Sequence, residues 1–316
     1  MYGAGAIGGS LGALLSAAGE DVVLIARGEH LQAMRAKGLV LRRPEGESRH
    51  RVDAVGTPGA VDWRDGDVVL LAMKAQDTEA ALRLLPDGLP VVSVQNGVAN
   101  EPMMLRHFAD VYGVCVMFPT SHLEPGVVVV HSTPTPGILD IGRYPSGVDG
   151  RAEAIARAFR KAGFRSEPRP DIMRWKYTKL LMNLGNAVEA LCPPSPERQE
   201  IVERVREEAR EVLWKAKIDF AGEEENRAHR GDTISVRDIA GQPRTGSSSW
   251  QSLARGTGSI EADYLNGEIV LLGRLHGVPT KWNENARTLA AKAAREKAAP
   301  GSLTTGEWLS SLDLVS

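Results

Sequence analysis

The sequence predicts an α/β protein in which an N-terminal Rossmann-type, doubly wound sheet is followed by an all-helical C-terminal domain. Three features predict this class: short apolar runs alternate with helical patterns in the first half, a glycine-rich loop lies at the N-terminus, and strand signals almost disappear after residue 168. We therefore expect one domain at 1–168 and another at 169–316, since 316 residues suggest about two domains.

Composition excludes several classes of protein. Lys and Arg number 38 and Asp and Glu number 40, and the net charge of −2 gives no reason to expect nucleic acid or an anionic membrane as the partner. Two cysteines cannot form a disulfide framework, and no apolar run approaches the roughly 20 residues of a membrane span. No basic region followed by an apolar segment opens the chain, so we expect a cytoplasmic globular protein.

The first half has the pattern of repeated strand–helix–strand units. Its apolar runs are continuous rather than alternating, which is typical of parallel strands covered on both faces. Strands are predicted at 22–26, 68–73, 91–94 and 114–118, and helices at 7–17, 29–37, 77–85 and 100–109. Two further runs, at 127–131 and 138–141, are expected to pair antiparallel and close the sheet before a helix at 151–162.

Helical periodicity dominates the second half. Pro168 and Pro170 break any regular element and mark the expected domain boundary. Helices are predicted at 172–190, 197–217, 248–254, 260–275 and 284–298. The stretch 222–246 is polar, charged and poor in apolar residues, so we expect a long loop or a mobile segment there.

The glycine-rich loop has the pattern G-x-G-x-x-G. It spans residues 3–8, and its candidate cofactor-binding residues are Gly3, Gly5, Ala6, Ile7 and Gly8; Ala4 completes the loop. Glycines permit a tight turn and a close approach to a pyrophosphate, and the following helix offers unpaired N–H donors. An ordinary structural turn is the alternative, but the strand and helix patterns that follow favour dinucleotide binding. Only Met1 and Tyr2 precede the loop, whereas a first strand normally needs about five residues, so we expect that the N-terminus is trimmed or that the true start lies further upstream.

The residue after the strand at 22–26 selects between NAD and NADP. An acidic side chain would bind the ribose 2′-hydroxyl of NAD, but here Ala26 is followed by Arg27 and Gly28. A guanidinium suits a 2′-phosphate, so Arg27 favours NADPH as the cofactor. The alternative is a solvated surface arginine.

Two other strand ends carry polar residues, and ligands of open α/β sheets bind at such ends. Lys74 follows the strand at 68–73 and is a candidate for binding phosphate or a substrate carboxylate. Asn96 follows the strand at 91–94 and is a candidate for binding cofactor or substrate. An ordinary Asn-Gly turn remains the alternative for Asn96.

A mostly apolar helix carries a stripe of polar residues. At 100° per residue, Asn183 and Asn186 lie within about 40° of Lys179. The stripe is either the solvent-exposed face of the helix or the wall of a buried site. Because asparagine is a poor helix former, it is unusual on a solvent-exposed face. A lysine at a cleft can act as a general acid, which makes Lys179 a catalytic candidate. Lys176, about 300° round the helix from it, is expected to be exposed and dispensable.

Ser249 and Glu261 are candidates from later helices. Ser259 or Thr257 can cap a helix whose first turn contains Glu261, and a carboxylate is ordinarily stabilising there. A structural role therefore competes with a role in a site. No metal site is expected.

Together these residues resemble the ketopantoate reductase family (2-dehydropantoate 2-reductases). No single motif is specific, but their order and spacing are. The resemblance covers nearly the whole chain, is weakest at 192–246, and rests on residues 3–8, Arg27, 73–75, 95–97, 126–142, 175–183, 249–267 and 276–280.

The resemblance implies a Rossmann domain, a helical domain and reduction of a 2-oxo acid by NADPH, most simply 2-dehydropantoate to pantoate in pantothenate biosynthesis. It implies that Lys179 is the general acid and that Glu261 holds that lysine or the substrate hydroxyl. Asn183 and Ser249 would bind the substrate, with Asn186 beside them. The expected partner is a small molecule rather than nucleic acid or a membrane, and a homodimer is the expected assembly.

Several substrate-side positions depart from the family pattern. Ala187 stands where a second asparagine is usual, and Gly246 and Leu253 replace an asparagine and an aspartate near the matched serine. Two alternatives therefore stay open: a related NADPH-dependent reductase of another carbonyl or imine, and a non-catalytic NADP(H)-binding regulator. Lys179 and Glu261 argue against the regulator, which needs neither.

Overall fold

The structure is a computed structural model that describes residues 1–239 and 246–314. It divides into two compact units: the first comprises Met1–Lys176 and a segment that begins at Gly222, and the second comprises Tyr177–Ala221 and the C-terminal segment. The sequence-based division after residue 168 stays a prediction. Within the described residues, no helix is both long enough and apolar enough to cross a membrane.

All strands of the described residues belong to the first unit. They are β1 (Val23–Ile25), β2 (Leu39–Arg43), β3 (Gly46–His50), β4 (Asp53–Val55), β5 (Val69–Leu71), β6 (Val91–Ser93), β7 (Val111–Met117), β8 (Thr120–Ser121), β9 (Val127–Val130), β10 (Ser132–Pro134), β11 (Ile138–Arg143) and β12 (Ile234–Val236). The helices of this unit are α1 (Ala6–Ala17), α2 (Gly28–Lys37), α3 (Thr78–Leu82), α4 (Asn100–Leu105), α5 (Gly150–Lys161) and the start of α6 (Ile172–Asn183). The chain then forms α7 (Asn186–Leu191) and α8 (Pro196–Lys215), which belong to the second unit, and returns to the first unit with α9 (Glu223–Arg230).

The main sheet of the first unit has the Rossmann-type order. β1 pairs in parallel with β4, and β5, β6 and β7 form a parallel series that β11 closes antiparallel. Tyr2 bridges Ile25 and Leu71, so a single residue joins β1 to β5 where a first strand would lie. The glycine-rich loop follows Tyr2, at the point where the strand order reverses and where such sheets bind nucleotides. The predicted fold class is confirmed.

The first unit also contains a second four-stranded sheet, of order β3-β2-β9-β8, which the sequence analysis did not predict. The expected pairing of 127–131 with 138–141 is wrong, because β9 pairs with β2 and β8 whereas β11 pairs with β7. All four residues of β9 are buried valines. A strand that is apolar on both faces is better covered inside a sheet than in an isolated hairpin.

The segment that begins at Gly222 is not the loop that its composition suggests. It forms α9, and β12 pairs antiparallel with β10. The side chain of His229 in α9 is 8% exposed, with Nε2 2.8 Å from the carboxylate of Asp140, and Glu225 forms two hydrogen bonds of 2.6 Å with Arg174. The segment is held by charged contacts, which hydropathy cannot detect. The remainder of the expected loop, residues 240–245, lies outside the described residues.

The second unit is helical throughout its described residues. Besides the end of α6, with α7 and α8, its helices are α10 (Ser248–Ala254), α11 (Asn266–His276), α12 (Lys281–Arg295) and α13 (Thr305–Ser311). α7 packs against α10 and α12, and α11 packs against α8 and α12. The predicted helix at 172–190 is two helices, interrupted before α7 at Gly185. A Cβ on Gly185 would come within 2.7 Å of Val202, so the glycine lets α8 approach closely.

Candidate active site

The glycine-rich loop has the geometry of a phosphate cradle. Gly3 has φ +93°, and a Cβ on it would lie 2.8 Å from the amide nitrogen of Met73. A Cβ on Gly8 would lie 2.0 Å from the carbonyl oxygen of Gly3, so this close approach requires glycine. Gly5 differs, because a Cβ there would meet nothing within 4 Å. Since Gly5 is the N-cap of α1 and provides no side-chain cap, the helix N-terminus faces open space that suits a pyrophosphate.

Arg27 lies two residues after the end of β1 and is the N-cap of α2. Its side chain is exposed, and it forms no hydrogen bond or ion pair with any residue that the structure describes. A guanidinium that has no protein carboxylate to neutralise it is available for an anionic ligand. This placement supports the predicted contact with a 2′-phosphate.

His30 joins the loop to its surroundings, a role that the sequence analysis missed. The amide N–H of Gly126 donates to Nδ1 of His30 at 2.8 Å, so Nε2 carries the proton and donates to the carbonyl of Ala4 at 2.8 Å. Burial and the neighbouring His122 lower the pKa of His30 to about 4. A neutral histidine therefore connects α2 to the glycine-rich loop.

The two polar strand ends are linked to each other. Gln95 is buried, and its side-chain amide donates to the carbonyl of Met73 at 2.9 Å and to Oγ1 of Thr78 at 2.8 Å. Lys74 follows Met73, and Asn96 follows Gln95, so the contacts of Gln95 hold the two candidate residues on adjacent strand ends. Gln95 thus stabilises the turn that carries Asn96.

Lys176 is not the exposed residue that the helical projection predicts. Its side chain is 2% exposed and forms an ion pair with Glu101, whose side chain is fully buried. The ammonium also lies 3.0 Å from the carbonyl oxygen of Gln95. The projection fails here because the α6 face that bears Lys176 contacts the first unit's own strands rather than water. Lys176 therefore cannot serve as a neutral control for Lys179.

The predicted stripe on α6 is interrupted. α6 ends at Asn183, and Asn186 begins α7, so the 100° rotation per residue does not extend to Asn186. Asn183 is 7% exposed, which excludes the solvent-face interpretation for it, and Lys179 is partly exposed. The two remain one helical turn apart on α6.

Ser249 and Glu261 lie on different elements of the second unit. Ser249 is buried in α10, which packs against α7, and Oγ of Ser247 donates to the carbonyl of Asn186 at 3.3 Å. Glu261 is 9% exposed and begins a 3₁₀ turn (Glu261–Tyr264) rather than the first turn of a capped α-helix. The expected side-chain cap is wrong, because the residue at the cap position is Ile260.

Arg255 adds a positive charge near Glu261. Burial lowers the pKa of Arg255, and the charge of Glu261 opposes that shift. Sequence analysis missed this arginine, because a lone basic residue at the end of a short helix has no distinctive pattern. Among the described residues, no group of three His, Cys, Asp or Glu side chains is placed to hold a metal ion.

A Rossmann-type unit with an open phosphate cradle, combined with a helical unit that carries buried polar side chains, defines the class of two-domain dinucleotide-dependent oxidoreductases. The family model described as ketopantoate reductase PanE/ApbA matches residues 1–146, and the model of its C-terminal region matches residues 171–293. The chain belongs to the ketopantoate reductase PanE/ApbA family.

Individual relatives are similar to this chain over nearly its full length. A 2-dehydropantoate 2-reductase of Archaeoglobus fulgidus is 30% identical over 299 residues, which cover 92% of this chain and 95% of that protein. The crystal structure of a PanE/ApbA family ketopantoate reductase from Ralstonia eutropha is 29% identical with a TM-score of 0.78, covering 94% of this chain and 99% of that one. D-mandelate dehydrogenase, solved with NADH and anilino(oxo)acetate, is 22% identical with a TM-score of 0.77 over 94% of this chain and 99% of that one, and shows a shared fold.

Proposed function

We propose that this chain is an NADPH-dependent reductase that converts the ketone of 2-dehydropantoate to the hydroxyl of pantoate. The observation that carries the proposal is the likeness to a curated 2-dehydropantoate 2-reductase, which is 30% identical over 92% of this chain. That likeness includes both units, so it is not limited to a dinucleotide-binding half.

The residues of the first unit fit NADPH. The open space at Gly5 and the N-terminus of α1 suit the pyrophosphate, and Arg27 suits the 2′-phosphate. We assign Lys74 and Asn96, on adjacent strand ends, to the remainder of the cofactor and to the substrate. Bound NADPH supplies the hydride that reduces the ketone.

The second unit supplies the proton in this proposal. Reduction of a ketone leaves an alkoxide, and Lys179 donates a proton to that oxygen. Glu261 holds the lysine or the new hydroxyl. Asn183 and Ser249, both buried polar residues, bind polar groups of the substrate, together with Asn186.

A second candidate keeps this chemistry and changes the substrate. Ala187 and Leu253 lack the hydrogen-bonding groups that are usual at these positions in the family, and both are buried. A pocket without those groups favours a 2-oxo acid with a less polar side chain than that of 2-dehydropantoate.

The proposed assembly is a homodimer in the cytoplasm. Trp214 on α8 and Leu275 on α11 are 76% and 68% exposed, and these two helices pack against each other. Large exposed apolar side chains on adjoining helices support a subunit contact. Light scattering of the purified protein measures the assembly directly, and a monomeric mass would contradict it.

The test is the loss of NADPH absorbance with a panel of 2-oxo acids that differ in size and polarity. The proposal predicts the highest kcat/KM with 2-dehydropantoate. A higher value with a less polar 2-oxo acid would favour the second candidate. NADPH binding without turnover of any compound in the panel would indicate a regulator.

A further inference from the structure

Lys176 and Glu101 form a buried pair in the first unit. The pair lies beneath the turn at 95–97, where the ammonium of Lys176 is 3.0 Å from the carbonyl oxygen of Gln95 and 3.4 Å from Oγ of Ser93 and the carbonyl oxygen of Val114. Besides the Glu101 carboxylate, the ammonium thus has three protein oxygens within 3.4 Å.

The buried pair packs against the sheet at a glycine of β7. Lys176 is 2% exposed and Glu101 is fully buried, so two charges have been removed from water. Gly113 of β7 makes room, because a Cβ there would lie 3.2 Å from Oε1 of Glu101 and 3.3 Å from Cδ of Lys176. Burying charges costs free energy even when they are paired. A contribution to the stability of the fold is therefore a weak explanation for the presence of this pair.

The hydrogen bonds around the pair fix the backbone on both sides of Asn96. Lys176 holds the carbonyl of Gln95 on one side, and the side-chain amide of Asn100 donates to the carbonyl of Asn96 at 3.2 Å on the other. Oγ1 of Thr78, which accepts from Gln95, donates in turn to Oδ1 of Asn100 at 2.9 Å. The position of Asn96 therefore depends on a continuous network that begins at the buried pair.

We propose that Lys176 is a positioning residue for the nicotinamide cofactor: it fixes the turn at 95–97 that presents Asn96, and Glu101 holds its ammonium in place. The proposal rests on the proposed function, which assigns Asn96 to the cofactor and to the substrate. Lys176 acts through the backbone of Gln95 and touches neither cofactor nor substrate.

The test uses the double variant Lys176→Met/Glu101→Gln. It removes both charges at similar volume, whereas the single variant Lys176→Met would leave Glu101 charged and unpaired. We expect the dissociation constant for NADPH, measured by fluorescence, to rise about tenfold. Backbone amides of 94–100 should exchange faster with deuterium in the absence of ligand.

Leu139→Ala is the matched control, because it removes buried side-chain volume from β11, a strand of the same unit that pairs with β7 and does not carry the turn. It should lower the unfolding temperature and leave NADPH affinity unchanged. Equal loss of affinity in this control would overturn the proposal, as would a folded double variant that binds NADPH like the unmodified protein.

A gentler variant covers the case in which the double variant does not fold. Gly113→Ala presses on both members of the pair with one methyl group, and we expect a smaller rise in the dissociation constant, of about threefold. An unchanged constant in a folded Gly113→Ala protein would overturn the proposal. If the unmodified protein binds no NADPH, the proposed function fails instead, and the exchange of 94–100 still decides whether the pair fixes the turn.

Discussion

The carbonyl oxygen of Ala4 accepts a hydrogen bond of 2.8 Å from Nε2 of His30. Because Nδ1 of the same ring accepts from the amide of Gly126, the ring must be neutral to make both contacts. The glycine-rich loop is therefore held by a residue that titrates near physiological pH in an unfolded chain.

This contact predicts a loss of stability in acid. Burial, with His122, lowers the pKa of His30 from 6.5 to about 4, so the unfolded chain takes up the proton first as the pH falls. The stabilising contribution is present above about pH 6.5 and is lost as the pH falls towards about 4. Urea unfolding of the unmodified protein and of His30→Gln between these limits should show a steeper decline for the unmodified protein. Parallel declines would contradict the assignment.

Gly8→Ala is predicted to lower the stability of the protein, whereas Gly5→Ala is predicted to weaken NADPH binding. Gly8→Ala places a methyl group against the carbonyl of Gly3, so the free energy of unfolding should fall by about 1–3 kcal/mol. Gly5→Ala meets no protein atom and should fold normally, but its methyl group enters the space assigned to the pyrophosphate. Its dissociation constant for NADPH should rise at least about tenfold. Full NADPH affinity in Gly5→Ala would show that the cradle lies elsewhere.

Arg27→Asp is predicted to reverse the cofactor preference. The unmodified protein should have a lower KM for NADPH than for NADH, since Arg27 is the guanidinium placed for a 2′-phosphate. The substitution should weaken NADPH binding by about 1.5–3 kcal/mol, the value of a charge-assisted hydrogen bond. NADH, which has no 2′-phosphate, is the internal control and should bind no more weakly than before. Equal KM values for both cofactors in the unmodified protein would refute the assignment.

Asp140→Asn tests whether charged contacts hold the segment at 223–236. Burial favours the neutral acid, but the hydrogen bond and charge of His229, with Arg169, hold the pKa of Asp140 below its usual value. Removing one charge from this buried group should lower the free energy of unfolding by about 3–5 kcal/mol. Glu153→Gln, in an exposed pair with Arg157, should cost at most about 1 kcal/mol. Similar costs in both variants, measured by urea unfolding, would contradict this explanation.

Sequence patterns predicted the strands with continuous apolar runs, and they missed β2, β3 and β4. β3 is Gly-Glu-Ser-Arg-His, with four exposed residues, and it exists because its backbone pairs with β2. Nothing in its hydropathy distinguishes it from a loop. The helix and strand after Gly222 were missed for a related reason, since the helix is held by charged groups such as Asp140 and Arg174 and the strand by the backbone of β10.

The candidate site could be predicted only where local spacing determines a role. The glycine-rich loop and Arg27 follow from their positions beside predicted elements. The burial of Lys176 does not, because its partner Glu101 lies on another element and no local pattern joins them. Local spacing also does not show the break between α6 and α7, which separates Asn186 from the stripe, or the close approach of Val202 to Gly185 beside it.

The account depends most on Lys179 as the proton donor. Lys179→Ala should reduce kcat by about 10²–10⁴-fold with the best 2-oxo acid, the usual cost of losing a general acid, and should leave the dissociation constant for NADPH unchanged. Lys215, an exposed lysine in the last turn of α8, is the matched control, and Lys215→Ala should keep full activity. The decisive measurement is kcat of these two variants side by side: a large loss confined to Lys179→Ala is the predicted result, and equal activity of the two would contradict the account.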